Sequence, residues 1–295
     1  MPADEGLAFV SSASRPAPSP PGAGPAALRF LVVGDIFGEP GRRGAARFIP
    51  ALREEYAIDC VIANGENAAG GRGLTEKTAD ELFRAGIDVL TLGNHTWSQR
   101  EMLTVLKDEQ VRIARPQNYP PGVPGRGFVD VEVRGAQVRV VSLMGRVFLT
   151  ESLDDPFRAA DDLLRATPDD AIVMVDFHAE ATSEKVAMGW HLDGRVAAVF
   201  GTHTHIPTAD ARLLPQGTAF VTDLGMVGPQ HSIIGSEVTP ILHRFLTGLP
   251  VRFEVAGGPI TFNAVIIEVD RRTRRGRGIW RRDMWDVDLS WAAPR

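Results

Sequence analysis

Apolar and polar positions alternate along this chain in two ways. Short, near-continuous apolar runs at residues 29–33, 60–63, 88–92, 171–176 and 196–201 have strand length, and each ends in a polar cluster. Between them lie stretches that suit helices: about 42–56, with a kink expected at Pro50, then 76–85, 99–106, 155–165 and 182–190. Thr75, three residues before Thr78, marks one helix start, and Gly86 suits its stop. Strand, helix, strand, helix, strand, helix is the order that builds a parallel sheet with helices on its faces. The middle changes character. Residues 127–133 and 137–142 alternate and are β-branched, with Arg134-Gly135-Ala136 as the hairpin turn between them. Beyond Ala211, short strands dominate (211–214, 218–222, 262–269), with one helix near 240–246. The expected fold is α/β, two mixed sheets packed face to face and flanked by helices, without an internal repeat.

Composition narrows the picture. Residues 1–27 are crowded with Ala, Pro, Ser and Gly and are expected to be a disordered tail ahead of a single domain over 28–295. The one cysteine, Cys60, falls in an apparent strand, which excludes a disulfide framework and a thiolate metal cluster and points to a reducing compartment. No apolar run approaches the roughly 20 residues that span a bilayer, so a cytoplasmic protein without a membrane partner is expected. The net charge of −5 is uneven, because residues 271–295 hold eight Arg against three Asp and leave the body more acidic. An acidic body is a poor platform for long nucleic acids but suits a metal-filled site. The run Arg271-Arg-Thr-Arg-Arg-Gly-Arg277 reads as a solvated hairpin turn between 262–269 and 278–283 in preference to an RNA contact. Trp280, Trp285 and Trp291 are candidates to pack on the body or on a neighbouring copy.

The polar clusters carry the chemistry. Val32-Val-Gly-Asp35, Val61-Ile-Ala-Asn-Gly-Glu66-Asn67, Val89-Leu-Thr-Leu-Gly-Asn94-His95, Ile172-Val-Met-Val-Asp-Phe-His178 and Phe200-Gly-Thr-His203-Thr-His205 all place ligand-type side chains at strand ends. Ligand sites of such sheets lie beyond the carboxyl ends of the strands. An extended His-x-His segment would put His203 and His205 on one face. Asp35, Glu66, Asn67, Asn94, His178, His203 and His205 are too many for one four-coordinate zinc and about right for two ions sharing a carboxylate. Oxygen and imidazole donors suit Mn, Fe, Zn or Mg. Two such ions can activate water between them and stabilise charge as a phosphate ester is cleaved in line.

These strings resemble the calcineurin-like metallophosphoesterases, whose pattern of Gly-Asp, a second acidic strand end, Gly-Asn-His, a lone His and a final His-x-His runs here from Asp35 to His205. Within them the chain is most similar to the bacterial YmdB family, through Val33-Gly-Asp-Ile-Phe-Gly38, Ala63-Asn-Gly-Glu-Asn-Ala68, Leu92-Gly-Asn-His-Thr-Trp97 and Gly201-Thr-His-Thr-His-Ile-Pro207. The resemblance covers residues 28 to about 269. It implies a four-layer sandwich and a dinuclear phosphodiesterase, with Fe or Mn favoured and Zn or Mg open, acting on 2′,3′-cyclic nucleotides to give nucleoside monophosphates. It also implies that Asp35, Asn67 and His205 hold one ion and Asn94, His178 and His203 the other, that Glu66 bridges them, and that His95 protonates the leaving oxygen.

The chain departs from the wider superfamily in three places. Phe37 stands where Asp-x-His has its histidine, Glu66 replaces an Asp, and Thr96 replaces an acid. Asn67 is the expected replacement for the lost imidazole. Alternative readings are a phosphomonoesterase or RNA-end nuclease on the same site, and, in another class, a catalytically weak regulatory scaffold. RNA ends and a second copy of the chain are the further partners left open. His231 is expected in a loop, 225–231, that closes over substrate, while His191 has a weak claim, His243 a structural one, and Arg115 and Arg146 are as well explained by loop salt bridges as by phosphate contacts.

Overall fold

The computed structural model describes residues 27–285; the expected tail up to residue 26, and Trp291, lie outside the described residues. Ala27, assigned to the tail on composition, is the buried first residue of a strand.

Two mixed sheets carry the fold. In the first, β1 (Ala27–Val33), β3 (Cys60–Asn64), β4 (Val89–Thr91) and β5 (Ile113–Ala114) run parallel, and β13 (Ile260–Asp270) lies antiparallel to β1. β14 (Gly276–Trp285) covers one edge of β13 from Thr261 to Val269. The other edge is shared: β1 pairs as far as Ala264, and β12 (Met226–Pro229) takes over at Phe262, with the two-residue β2 (Asp35–Ile36) parallel beside it. The chain therefore crosses between β1 and β2 at Gly34, whose backbone lies so close to Gly225 that a Cβ would sit 2.0 Å from its carbonyl oxygen. Only glycine permits that crossing, and it delivers Asp35 to the sheet's carboxyl end.

The second sheet has the order β10 (Arg212–Leu213), β11 (Ala219–Val221), β9 (Ala198–Thr202), β8 (Ile172–His178), β7 (Ala136–Met144), β6 (Phe128–Val133). Its β7, β8, β9 and β11 are parallel, and β6–β7 is the expected hairpin.

Strand alternation sorts the core. Leu28, Phe30 and Val32 of β1 join Val138, Val140, Ile172, Met174 and Phe200 between the sheets. Leu31 and Val33 face the other way, onto α1 (Gly38–Glu55) and α2 (Glu76–Arg84). On the far side Val173, Val175 and Phe177 pack on α4 (Pro156–Arg165) and α5 (Thr182–Leu192). The result is helix, sheet, sheet, helix, as the polarity pattern predicts.

Several boundaries move. α1 starts at Gly38, four residues before the expected position, and runs on through Pro50, which faces solvent beside exposed Ala46, where a carbonyl freed by the ring can be hydrated. The helix expected over 99–106 shortens to α3 (Met102–Val105). Residues 225–231 are not an open loop: Met226–Pro229 form the buried strand β12. The helix near 240–246 is α6 (Val238–Thr247), of which only Ile241 is buried. Residues 271–275 turn between β13 and β14, with Asp270 accepting from the backbone of Arg272 and Thr273. No helix among the described residues is long and apolar enough to cross a membrane.

Candidate metal centre

Five segments converge at the carboxyl ends of both sheets: the start of β2 (Asp35), the turn after β3 (Glu66, Asn67), the turn after β4 (Asn94, His95), the end of β8 (His178) and the loop after β9 (His203, His205). Within 3.0 Å of His178 Nε2 stand Asn94 Oδ1 at 2.9 Å, Glu66 Oε1 at 3.0 Å and His203 Nδ1 at 3.0 Å. Gly93 makes room for this, since a Cβ there would lie 2.2 Å from the His178 ring.

The outer ring nitrogens fix what the inner ones offer. His178 Nδ1 lies 2.9 Å from Thr202 Oγ1, whose own proton goes to Asp176 Oδ1 at 2.7 Å, so Nδ1 carries the hydrogen and Nε2 the lone pair. His203 Nε2 faces Glu180 Oε2 at 3.1 Å, which leaves Nδ1 as the acceptor turned inward. His205 Nδ1 donates to the Ile234 carbonyl at 2.8 Å, and its Nε2 points to Asn67 and Asp35. Burial drives all three imidazoles toward the neutral form, His178 well down, His205 down and His203 to about 3.

A knot of acceptors without a donor is unstable by itself. Two imidazole lone pairs, a carboxylate and an amide oxygen meet at one point, and a cation is the simple way to satisfy them.

The second group is looser. Asp35 Oδ1 is 3.8 Å from His205 Nε2, and the Asn67 amide is 3.2 Å from the same nitrogen. The other oxygen of Asp35 accepts from the His203 backbone at 3.1 Å, while Oδ1 is fully buried with no hydrogen-bond partner. Burial, then the charges of Asp223 and Glu66, push the Asp35 carboxyl well above its ordinary value, against the His203 N–H. An orphaned carboxylate oxygen aimed at an imidazole lone pair also calls for a cation. A half-turn of the Asn67 amide presents its oxygen to the same place. Phe37 packs edge-on against His205, with centroids 5.5 Å apart, so the aromatic ring stands beside this group where the superfamily pattern has a histidine.

The His-x-His segment is not extended, contrary to expectation. β9 ends at Thr202, and His203 and His205 both take positive φ, 98° and 65°. Such backbone persists only where surroundings impose it. Here Asp223 accepts from the Thr204 N–H and hydroxyl and from Gly225 N–H, and is itself paired with buried Lys185 at 2.6 Å.

His95 adjoins both groups: its backbone N–H donates to Glu66 Oε2 at 3.0 Å. Burial lowers its pKa, Glu66 opposes that, and Arg72 and His205 add to it. The remaining candidates lie elsewhere. His191 bonds Asp161, Arg146 pairs with Asp155, and Arg115 is spent on the carbonyls of Pro116 and Pro124. His231 and His243 are exposed. Sequence reasoning missed Glu180, Thr202, Asp176 and Asp223. Asp176, held to about 7 chiefly by burial, links the sheets by accepting from Thr91 and Asn64 of one and Thr202 of the other. Its place inside the buried run 172–178 was the available signal.

A profile of the YmdB-like protein family matches residues 31–281. A 2′,3′-cyclic-nucleotide 2′-phosphodiesterase of Bacillus subtilis is 47% identical over 249 residues, 84% of this chain and 94% of that protein. Among solved structures, a hypothetical protein from Thermus thermophilus superposes with a TM-score of 0.82 at 47% identity, covering 88% of this chain and all of its own. A novel phosphatase from Mycoplasma pneumoniae superposes with a TM-score of 0.85 at 34% identity, covering 91% of this chain and 97% of its own.

Proposed function

The chain belongs to the YmdB-like protein family, and we propose that it is a dinuclear metal-dependent phosphodiesterase that hydrolyses 2′,3′-cyclic nucleotides. The observation that carries the reading is the cluster of inward-facing acceptors around His178 Nε2, with the orphaned Asp35 oxygen beside it. Asp35, Asn67 and His205 would hold one ion in this reading and Asn94, His178 and His203 the other, with Glu66 as the carboxylate between them. Bound there, the ions supply Lewis-acid stabilisation of phosphoryl charge and make water more acidic; Fe or Mn is favoured and Zn or Mg fits the same donors.

The side chains do the rest. Thr202, Glu180 and Ile234 hold the three imidazoles in the tautomers that ligate. His95, beside Glu66, gives its proton to the departing ribose oxygen. By analogy with the name of the Bacillus relative, the 2′ ester opens and a nucleoside 3′-monophosphate is left.

A phosphomonoesterase on the same ligands is the second reading, favoured by the name of the Mycoplasma phosphatase. Steady-state assays on a 2′,3′-cyclic nucleotide, a nucleoside monophosphate and a single-stranded RNA oligomer separate these. The proposed reading expects the highest kcat/KM on the cyclic compound, and indifference to it would overturn that reading. The scaffold reading loses ground because all seven ligand-type side chains are present and gathered.

A further inference from the structure

His205 is a shared wall. Its Nε2 faces the Asp35 and Asn67 group, and its ring also lines a cleft formed with Ile206, Ile234, Gln230 and Trp285. Three large apolar side chains stand half-exposed around that cleft, Ile206 at 57%, Ile234 at 48% and Trp285 at 48%. Scattered singly they would mean little, but together around one cleft beside the candidate metal ligands they form a surface that a flat ring system can cover. The cleft's polar floor is rigid and already paired: Asn263 donates to Asp283 at 2.9 Å, and Arg281 donates to both oxygens of Asp283, at 2.7 and 2.8 Å. The exposed amide of Gln230 stands at the rim with a donor and an acceptor that a ring edge can use.

We propose that this cleft is the nucleobase subsite, with Trp285 as the stacking surface and Gln230 as the group that reads the base edge. The inference rests on the reading of the site as a cyclic-nucleotide phosphodiesterase and adds where specificity for a nucleotide comes from. A cyclic nucleotide whose phosphate lies on the ligand cluster has its base a ribose away, and the cleft opens on the other side of His205. Apolar walls from Ile206, Pro207, Met226, Ile234 and Trp285, with no Lys or Arg among the described residues that line the cleft, suit a base, whereas a second phosphate would demand cationic groups aimed inward.

The test compares 2′,3′-cyclic AMP with ribose 2,3-cyclic phosphate, which lacks the base, on metal-loaded protein. The wild type is expected to prefer the nucleotide in kcat/KM through a lower KM. Trp285→Ala is expected to cut that preference roughly five-fold or more, the scale of losing one base-aromatic stack. Gln230→Ala, at an exposed loop position, is expected to cut it less and to differ between purine and pyrimidine substrates; melting temperatures confirm that both variants fold. A wild type without preference, or a preference that survives both substitutions, overturns the proposal. If the wild type turns over neither compound, the phosphodiesterase reading fails. Equilibrium binding of adenosine 3′-monophosphate against ribose 3-phosphate then decides the cleft: a preference lost in Trp285→Ala sustains it, and equal binding overturns it.

Discussion

Each imidazole of the candidate centre depends on a residue behind it. Thr202 is the clearest case, because its hydroxyl accepts the hydrogen of His178 Nδ1 and donates its own to Asp176. Thr202→Val keeps the shape and removes the relay, so titration with Mn is expected to show metal affinity reduced about 10–100-fold with the fold retained. His95→Ala is expected to keep both ions by elemental analysis and to lower kcat about 10²–10⁴-fold, most for esters with poor leaving groups. Loss of an ion from that variant would contradict the role of His95. The convergence of Asp35, Glu66, Asn67, Asn94, His178, His203 and His205 was legible in the sequence because each follows an apolar run, and strand ends of a parallel sheet meet at one rim. Glu180 and Asp223 were not, since what they do depends on a partner that only the folded chain brings near.

Among the elements, the loop after β9 departs furthest from local preference. Two histidines at positive φ are held by Asp223, which depends in turn on Lys185 of α5, 1% exposed in its side chain. Lys185→Met leaves a buried carboxylate unpaired, and urea unfolding is expected to show a loss of about 3–5 kcal/mol. A loss below 1 kcal/mol would mean that the pair does not hold the loop. The strand and helix order was readable because period and capping act locally, as at Thr75, whose side chain and that of Thr78 cap each other's backbone. β2 and β12 were not readable, because two- and four-residue strands exist only through the crossing at Gly34 and Gly225. α1 runs on through Pro50 because the ring lies on its solvent face.

At the scale of the molecule, the inter-sheet layer is what brings the two halves of the centre together. β2 and the turns after β3 and β4 supply Asp35, Glu66, Asn67, Asn94 and His95 from one sheet, and the end of β8 and the loop after β9 supply His178, His203 and His205 from the second. Cys60 reports on that layer: it lies between the sheets, 1% exposed, with its thiol pushed far up by burial. A thiol reagent is expected to label it only as fast as the protein unfolds, and rapid labelling under native conditions would show that the layer opens locally. The central claim is that the facing acceptors of both sheets hold two ions that the reaction requires. Its most direct test is metal content by elemental analysis, paired in one preparation with hydrolysis of a 2′,3′-cyclic nucleotide before and after chelation. Two ions per chain, with turnover lost to the chelator and restored by Mn or Fe, is the predicted result. Folded protein that carries one ion or none, and shows no turnover when metal is added back, would contradict it.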